Sequence, residues 1–167
     1  ESTLRTHLEA HAQAQGLPTA ACAAFGIANP VTGDQIAMTN HHWTFSILAT
    51  REALGLPRLL LLNDFTALAL ALPGLPDADK RQVGGGVALQ GAAIGLIGPG
   101  TGLGVSGLLP DGRGGWVPLQ GEGGHVSLAA TTARERLVVD ALQRRHGHAS
   151  AERAVSGMGL LDIYSVL

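Results

Sequence analysis

The sequence predicts an α/β fold, one domain or pieces of two, with a mixed or parallel sheet flanked by helices. Three observations predict it. Residues 58–62 are an uninterrupted apolar run, the kind of strand buried on both faces of a mixed or parallel sheet. Short apolar runs of this kind share the chain with stretches of helical periodicity. The composition also changes across residues 75–86, where a polar stretch, PDADKRQ, leads into Gly84, Gly85 and Gly86. That change places the expected boundary between residues 1–74 and 75–167.

The elements follow in order. Residues 3–15 read as an amphipathic helix with Ser2 as N-cap and Gly16 after its end; Leu17-Pro18 breaks it. Residues 20–27 form a short buried strand, Asn29-Pro30 and Thr32-Gly33 mark turns, and residues 36–39 return as a strand. A helix follows Ser46 and ends at Gly55, before Pro57. The strand at 58–62 stops at Asn63-Asp64, and residues 66–72 continue as a helix to Pro73-Gly74. Beyond the boundary, residues 92–97 and 103–109 are strands with a glycine turn between them. Asp111-Gly112 and Gly114-Gly115 turn the chain again before residues 116–119. Thr132, with Glu135 three residues later, is a capping box for a helix to about Arg145. Val138, Ala141 and Leu142 give that helix its apolar face, Gly147 closes it, and a last helix begins near Met158.

Composition removes several function classes. With 46% hydrophobic and 14% charged residues the chain is too apolar for intrinsic disorder. A net charge of -2, with Lys80 the only lysine, leaves no basic stripe for nucleic acid or an anionic membrane. No apolar run reaches the length of a membrane helix, and the start, ESTLRTHLEA, is not a secretory signal. The single cysteine, Cys22, excludes an internal disulfide and a CxxC zinc site, fits a reducing, cytoplasmic location, and is expected to pack in the core. The 24 glycines and 4% aromatic residues suit close approach of backbone to backbone or ligand. The chain lacks an initiator Met and stops in an apolar segment, DIYSVL, which sets the expectation of a piece of a longer protein.

Three constellations could carry chemistry. Asn63-Asp64 lies between a buried strand and a helix, where open α/β sheets bind ligands. There a carboxylate meets solvent and the positive helix end, yet either residue could simply cap the helix. GPGTGLG, residues 98–104, alternates glycines with Pro99, Thr101 and Leu103. Its bared N–H groups and the Thr101 hydroxyl suit phosphate oxygens, and the same pattern suits a plain glycine hairpin. It is not a Walker A loop, since no Gly-Lys-Ser/Thr occurs, nor a GxGxxG turn, since a strand follows. GEGGH, residues 121–125, flanks two glycines with Glu122 and His125, which suit sugar hydroxyls or simply form a solvated turn. A metal there would lack a third ligand. His7 and His11 read as a solvated helix face, His146 and His148 as cations at a helix end, and His41 and His42 as loop residues.

Five segments taken in order give the chain a resemblance: GDQIAMTNHHWTFS, LLLLNDFTALALALPGL, GPGTGLGVSGLLP, VPLQGEGGHVSLA and ASAERAVSGMGLLDIY. Together they resemble the bacterial glucokinase family, of the actin/hexokinase-like (ribonuclease H-like) superfold. The resemblance implies that residues 1–74 are part of a small α/β domain and residues 75–167 part of a large one. It implies ATP-dependent phosphorylation of the glucose C6 hydroxyl, with Mg²⁺, in glycolysis. On it, Asp64 would be the general base, Asn63, Glu122, His125 and Glu152 the glucose contacts, and Gly98, Gly100, Thr101, Gly102 and Gly104 the phosphate loop. TNHHW would wall the sugar cleft, and a hinge near residues 74–80 would let it close. Glucose and ATP would be the partners, with no nucleic acid, no membrane, and room for a homodimer. A kinase for another hexose and a sugar-sensing relative without catalysis are the alternatives.

The sequence departs from the family pattern at both ends. It carries no Asp-x-Gly-Gly-Thr-like phosphate loop and none of the later segments that hold adenosine. The expectation is that these residues alone would not phosphorylate glucose and would leave sheet edges and apolar faces exposed.

Overall fold

The computed structural model describes residues 2–16, 18, 20–38 and 42–167. They fall into two compact units, Glu1–Ala67 and Leu68–Leu167.

The first unit contains α1 (Ser2–Gln15), β1 (Cys22–Ile27), β2 (Gln35–Ala37), β3 (Thr44–Ser46), α2 (Ile47–Ala53), β4 (Arg58–Asn63) and the start of α3 (Asp64–Ala71). β1 and β4 pair in parallel from Cys22↔Arg58 to Ile27↔Asn63. A parallel pair needs a long crossover. Here the β2–β3 hairpin and α2 supply it, with buried Ile36 opposite Phe45. α2 is capped twice. Ser46 Oγ accepts from the Ala49 amide and donates to Asp34 Oδ2 at 2.6 Å, while the Leu48 amide donates to Asp34 Oδ1 at 2.8 Å. The Ser46 hydroxyl, with the Leu48 and Ile47 amides, holds the Asp34 carboxyl below its usual range. Gly55, at φ +65, makes the turn out of α2 that a side chain would strain. His7 and His11 are exposed on α1, where Leu8 and Ala12 are half-buried. Ser2, expected as the N-cap of that helix, is its first residue.

Burial in this unit also departs from expectation. β4 is not buried on both faces: Leu61 is buried, but Leu60 is 52% exposed. The strand has one ladder partner, and Leu60 lines a shallow apolar groove of about 560 Å³ with Cys22, Ala24, Leu48 and Pro57. Cys22 is therefore exposed rather than packed in a core, because it opens a strand whose residues alternate between exposed and half-buried.

The second unit contains an antiparallel sheet, β5 (Ile94–Pro99), β6 (Leu103–Pro110) and β7 (Trp116–Leu119), then α4 (Ala133–His146), α5 (Ala151–Ala154) and α6 (Gly157–Val166). Residues 81–91, which include the glycine run, are exposed and carry neither helix nor strand. β5 begins two residues later than expected and continues through Gly98-Pro99. The ladder runs on to Pro99↔Leu103 and leaves a three-residue loop. Both halves of the α4 capping box form, and Gly147 closes the helix at φ +77. Val138, Leu142, Ala149 and Ala154 make a small core that Leu128, Val139, Ile163 and Val166 cover; Ala141, expected on that face, is half-buried. Arg145 and His146, at the α4 end, both bond the buried Asp162 of α6, at 2.5 and 2.7 Å. The His146 hydrogen bond, then the Arg145 charge, hold that carboxyl below its usual range against the opposing effect of burial. His148 instead meets Ser127 Oγ at 2.9 Å.

Candidate functional site

In the first unit the chemistry gathers where β4 passes into α3. Asn63 Oδ1 accepts from the Thr66 amide at 3.1 Å, so Asn63 does cap the helix. Its Nδ2 donates to Asp64 Oδ1 at 3.0 Å, and the Phe65 amide donates to the same oxygen at 2.9 Å. Buried Thr66 and Ala69 seat the helix. Asp64 is exposed, its Oδ1 is engaged twice, and among the described residues its Oδ2 takes no hydrogen bond. An exposed carboxylate oxygen, oriented by bonds to its twin, is suited to accept a proton from a hydroxyl. Of TNHHW, Thr39, Asn40 and His41 lie outside the described residues.

In the second unit the glycine hairpin, the GEGGH turn and the Ser150–Gly157 stretch meet. Gly98 and Gly104 are register partners at the base of the hairpin. The Gly100 amide donates to the Gly102 carbonyl at 2.8 Å. The Gly100 carbonyl accepts from the Gly157 amide at 2.9 Å, at the start of α6. The Leu103 amide donates to Glu152 Oε2 at 3.0 Å, and the other carboxylate oxygen, Oε1, lies 3.7 Å from His125 Nε2. Among the described residues the amides of Thr101 and Gly102 donate to no protein atom, so they are the loop donors left for an anion.

The GEGGH turn is a 3₁₀ turn, Gly123–His125, pressed on β6. A Cβ on Gly123 would run into the Val105 side chain, and one on Gly124 into the Leu103 carbonyl oxygen. Gly124 thus admits the β6 backbone and Gly123 the Val105 side chain. His125 is exposed beside Glu152, and its amide donates to the Glu122 carbonyl at 3.0 Å; the Glu122 carboxylate is exposed and takes no hydrogen bond among the described residues. The structure therefore joins His125, Glu152 and the glycine loop within one unit, and Asn63 with Asp64 within the other. The sequence reading missed the Leu103 amide as the anchor of Glu152 and the four-residue α5 that carries it. The signal available for α5 was Ser150, whose hydroxyl caps it.

The fold is that of hexokinase-like α/β proteins. A crystal structure of glucokinase from an Antarctic psychrotroph superposes with a TM-score of 0.84 at 30% identity, over 98% of this chain and 50% of that one. A family model described as Glucokinase matches residues 1–167. The chain is 56% identical over 153 residues to a glucokinase of Aromatoleum aromaticum, across 92% of this chain and 46% of that protein. It is 54% identical over 165 residues to one of Chromobacterium violaceum, across 99% of this chain and 47% of that protein. The chain belongs to the glucokinase family. It spans about half the length of these two curated relatives.

Proposed function

We propose that the chain carries the glucose-binding residues and part of the phosphate site of an ATP-dependent glucokinase, which phosphorylates the glucose C6 hydroxyl in glycolysis. The observation that carries this reading is that Glu152, 3.7 Å from His125, also accepts from the Leu103 amide of the glycine hairpin at 3.0 Å, which sets sugar-type and phosphate-type groups side by side. On this reading residues 1–74 belong to the small domain and residues 75–167 to the large one.

Asp64 is the general base. With Oδ1 held by Asn63 and Phe65, Oδ2 accepts the C6 hydroxyl proton as that oxygen bonds to the γ-phosphorus and the bond to ADP breaks. Asn63, Glu122, His125 and Glu152 pair the sugar hydroxyls. In the loop spanning Gly98, Gly100, Gly102 and Gly104, the Thr101 and Gly102 amides and the Thr101 hydroxyl hold phosphate oxygens. Among the described residues no three His, Cys, Asp or Glu could hold a metal. On this reading Mg²⁺ would come bound to the ATP phosphates, which supply much of its oxygen coordination. No helix among the described residues is long and apolar enough to cross a membrane. The reading places the enzyme in the cytoplasm, acting on glucose and ATP without nucleic acid or membrane, and it allows a homodimer.

Asp64→Asn in the full-length protein tests this. The amide oxygen keeps the Phe65 contact but cannot serve as the base. Glucose binding is expected to stay near its original strength while phosphoryl transfer falls by about 10²–10⁴-fold in a coupled assay. Transfer that survives would remove Asp64 from the role. The 167 residues alone are expected to leave glucose unphosphorylated, and normal turnover by them would overturn that expectation.

A further inference from the structure

The glycine hairpin and Glu152 touch through two features that a phosphate loop does not require. The Leu103 amide spends its hydrogen bond on Glu152 Oε2, across 49 residues of sequence. Gly102 presents a bare α-carbon to the same carboxylate: a Cβ built there would sit 2.5 Å from Oε2 and 3.2 Å from Cδ. The first distance is too short for any Cβ contact and the second is tight, and the group that must yield is the end of a flexible side chain, not backbone. An N–H donated to a carboxylate is a charge-assisted bond that fixes direction as well as distance. Glu152 is otherwise held only loosely: its second oxygen lies 3.7 Å from an exposed His125, and its own side chain is about a quarter exposed, at 27%.

We infer that Gly102 is a positioning residue for the sugar site, setting Glu152 through the Leu103 amide and the space above its own α-carbon. The glycine loop then has a second duty besides the phosphate, and the two ligands share one piece of backbone. The inference rests on the glucose-kinase reading, because it is that reading which makes Glu152 a sugar contact.

A double-mutant cycle on the full-length protein tests it, with glucose affinity measured by calorimetry and KM measured separately for glucose and ATP. Gly102→Ala pushes the carboxylate aside and is expected to weaken glucose binding about tenfold, the scale of one hydrogen bond to a charged group. Glu152→Ala is expected to weaken it at least as much. Glu152→Gln, which can still accept from Leu103, is expected to recover part of the loss. The double variant Gly102→Ala with Glu152→Ala is expected to match Glu152→Ala alone, because the glycine acts through the glutamate. Additive losses, or a Gly102→Ala effect confined to the KM for ATP, would overturn the inference while leaving the kinase reading intact. Failure of the unmodified protein to bind glucose would overturn the reading and the inference with it. If Gly102→Ala does not fold, equal glucose affinity in Glu152→Gln and Glu152→Ala would still refute the anchoring.

Discussion

Gly124 leaves no room for a side chain, because a Cβ there would overlap the Leu103 carbonyl oxygen of β6. A backbone carbonyl tied into the β5–β6 ladder cannot step aside as a side chain can. Gly124→Ala is therefore expected to destabilise the second unit by about 1–3 kcal/mol, the usual effect of overpacking. A denaturant titration that returned an unchanged midpoint would contradict it. The sequence made GEGGH conspicuous, but polarity and spacing cannot show which strand passes beneath a turn. Asp64 was readable in a different way. A carboxylate between an apolar strand and a helix stands out in any sequence, whereas the division of work between its two oxygens depends on where Asn63 and Phe65 point. Glu152 stands out only through the resemblance, since its partners, Leu103 and His125, are remote in the chain.

At the level of elements, α4 follows its local signals most closely. Glu135 Oε2 accepts from both Thr131 and Thr132, and the Thr131 hydroxyl, followed by those two amides, lowers its carboxyl from 4.5 to about 2. A lowered pKa means that the contribution is complete above the ordinary value of 4.5 and fades as pH falls toward 2. Glu135→Gln is thus expected to flatten the acid arm of the stability profile between those two values, with little change in its shape at alkaline pH. Thermal melts followed by circular dichroism across that range would show whether the arm persists. Thr132→Ala should cost about 1 kcal/mol, as an N-cap loss does. Caps and turns such as these are local in sequence and were therefore legible: Ser46, Thr132 and Gly147 all sit where the residues alone put them. The limits of β5 were not, because its last two residues are fixed by the register of β6 and not by their own preferences.

The molecule as a whole shows wide apolar surface. Met158, Leu160, Leu161 and Tyr164 project from α6 with 61–86% exposure, and Leu48 and Leu60 open on the groove of the first unit. Patches of this kind drive association in water. The 167 residues in isolation are expected to bind an apolar dye and to self-associate as concentration rises through the micromolar range. Monodisperse sedimentation without dye binding would refute this. The exposure of β4 escaped the sequence reading for the same reason that β5 did. An apolar run reports what a strand can bury, and the neighbours decide what it does bury. The long-range bond from Leu103 to Glu152 has a consequence for biosynthesis. The hairpin leaves the ribosome 49 residues ahead of the side chain that steadies its tip. The nascent tip must therefore wait, unfixed, through several seconds of elongation at typical rates of about 5–20 residues per second.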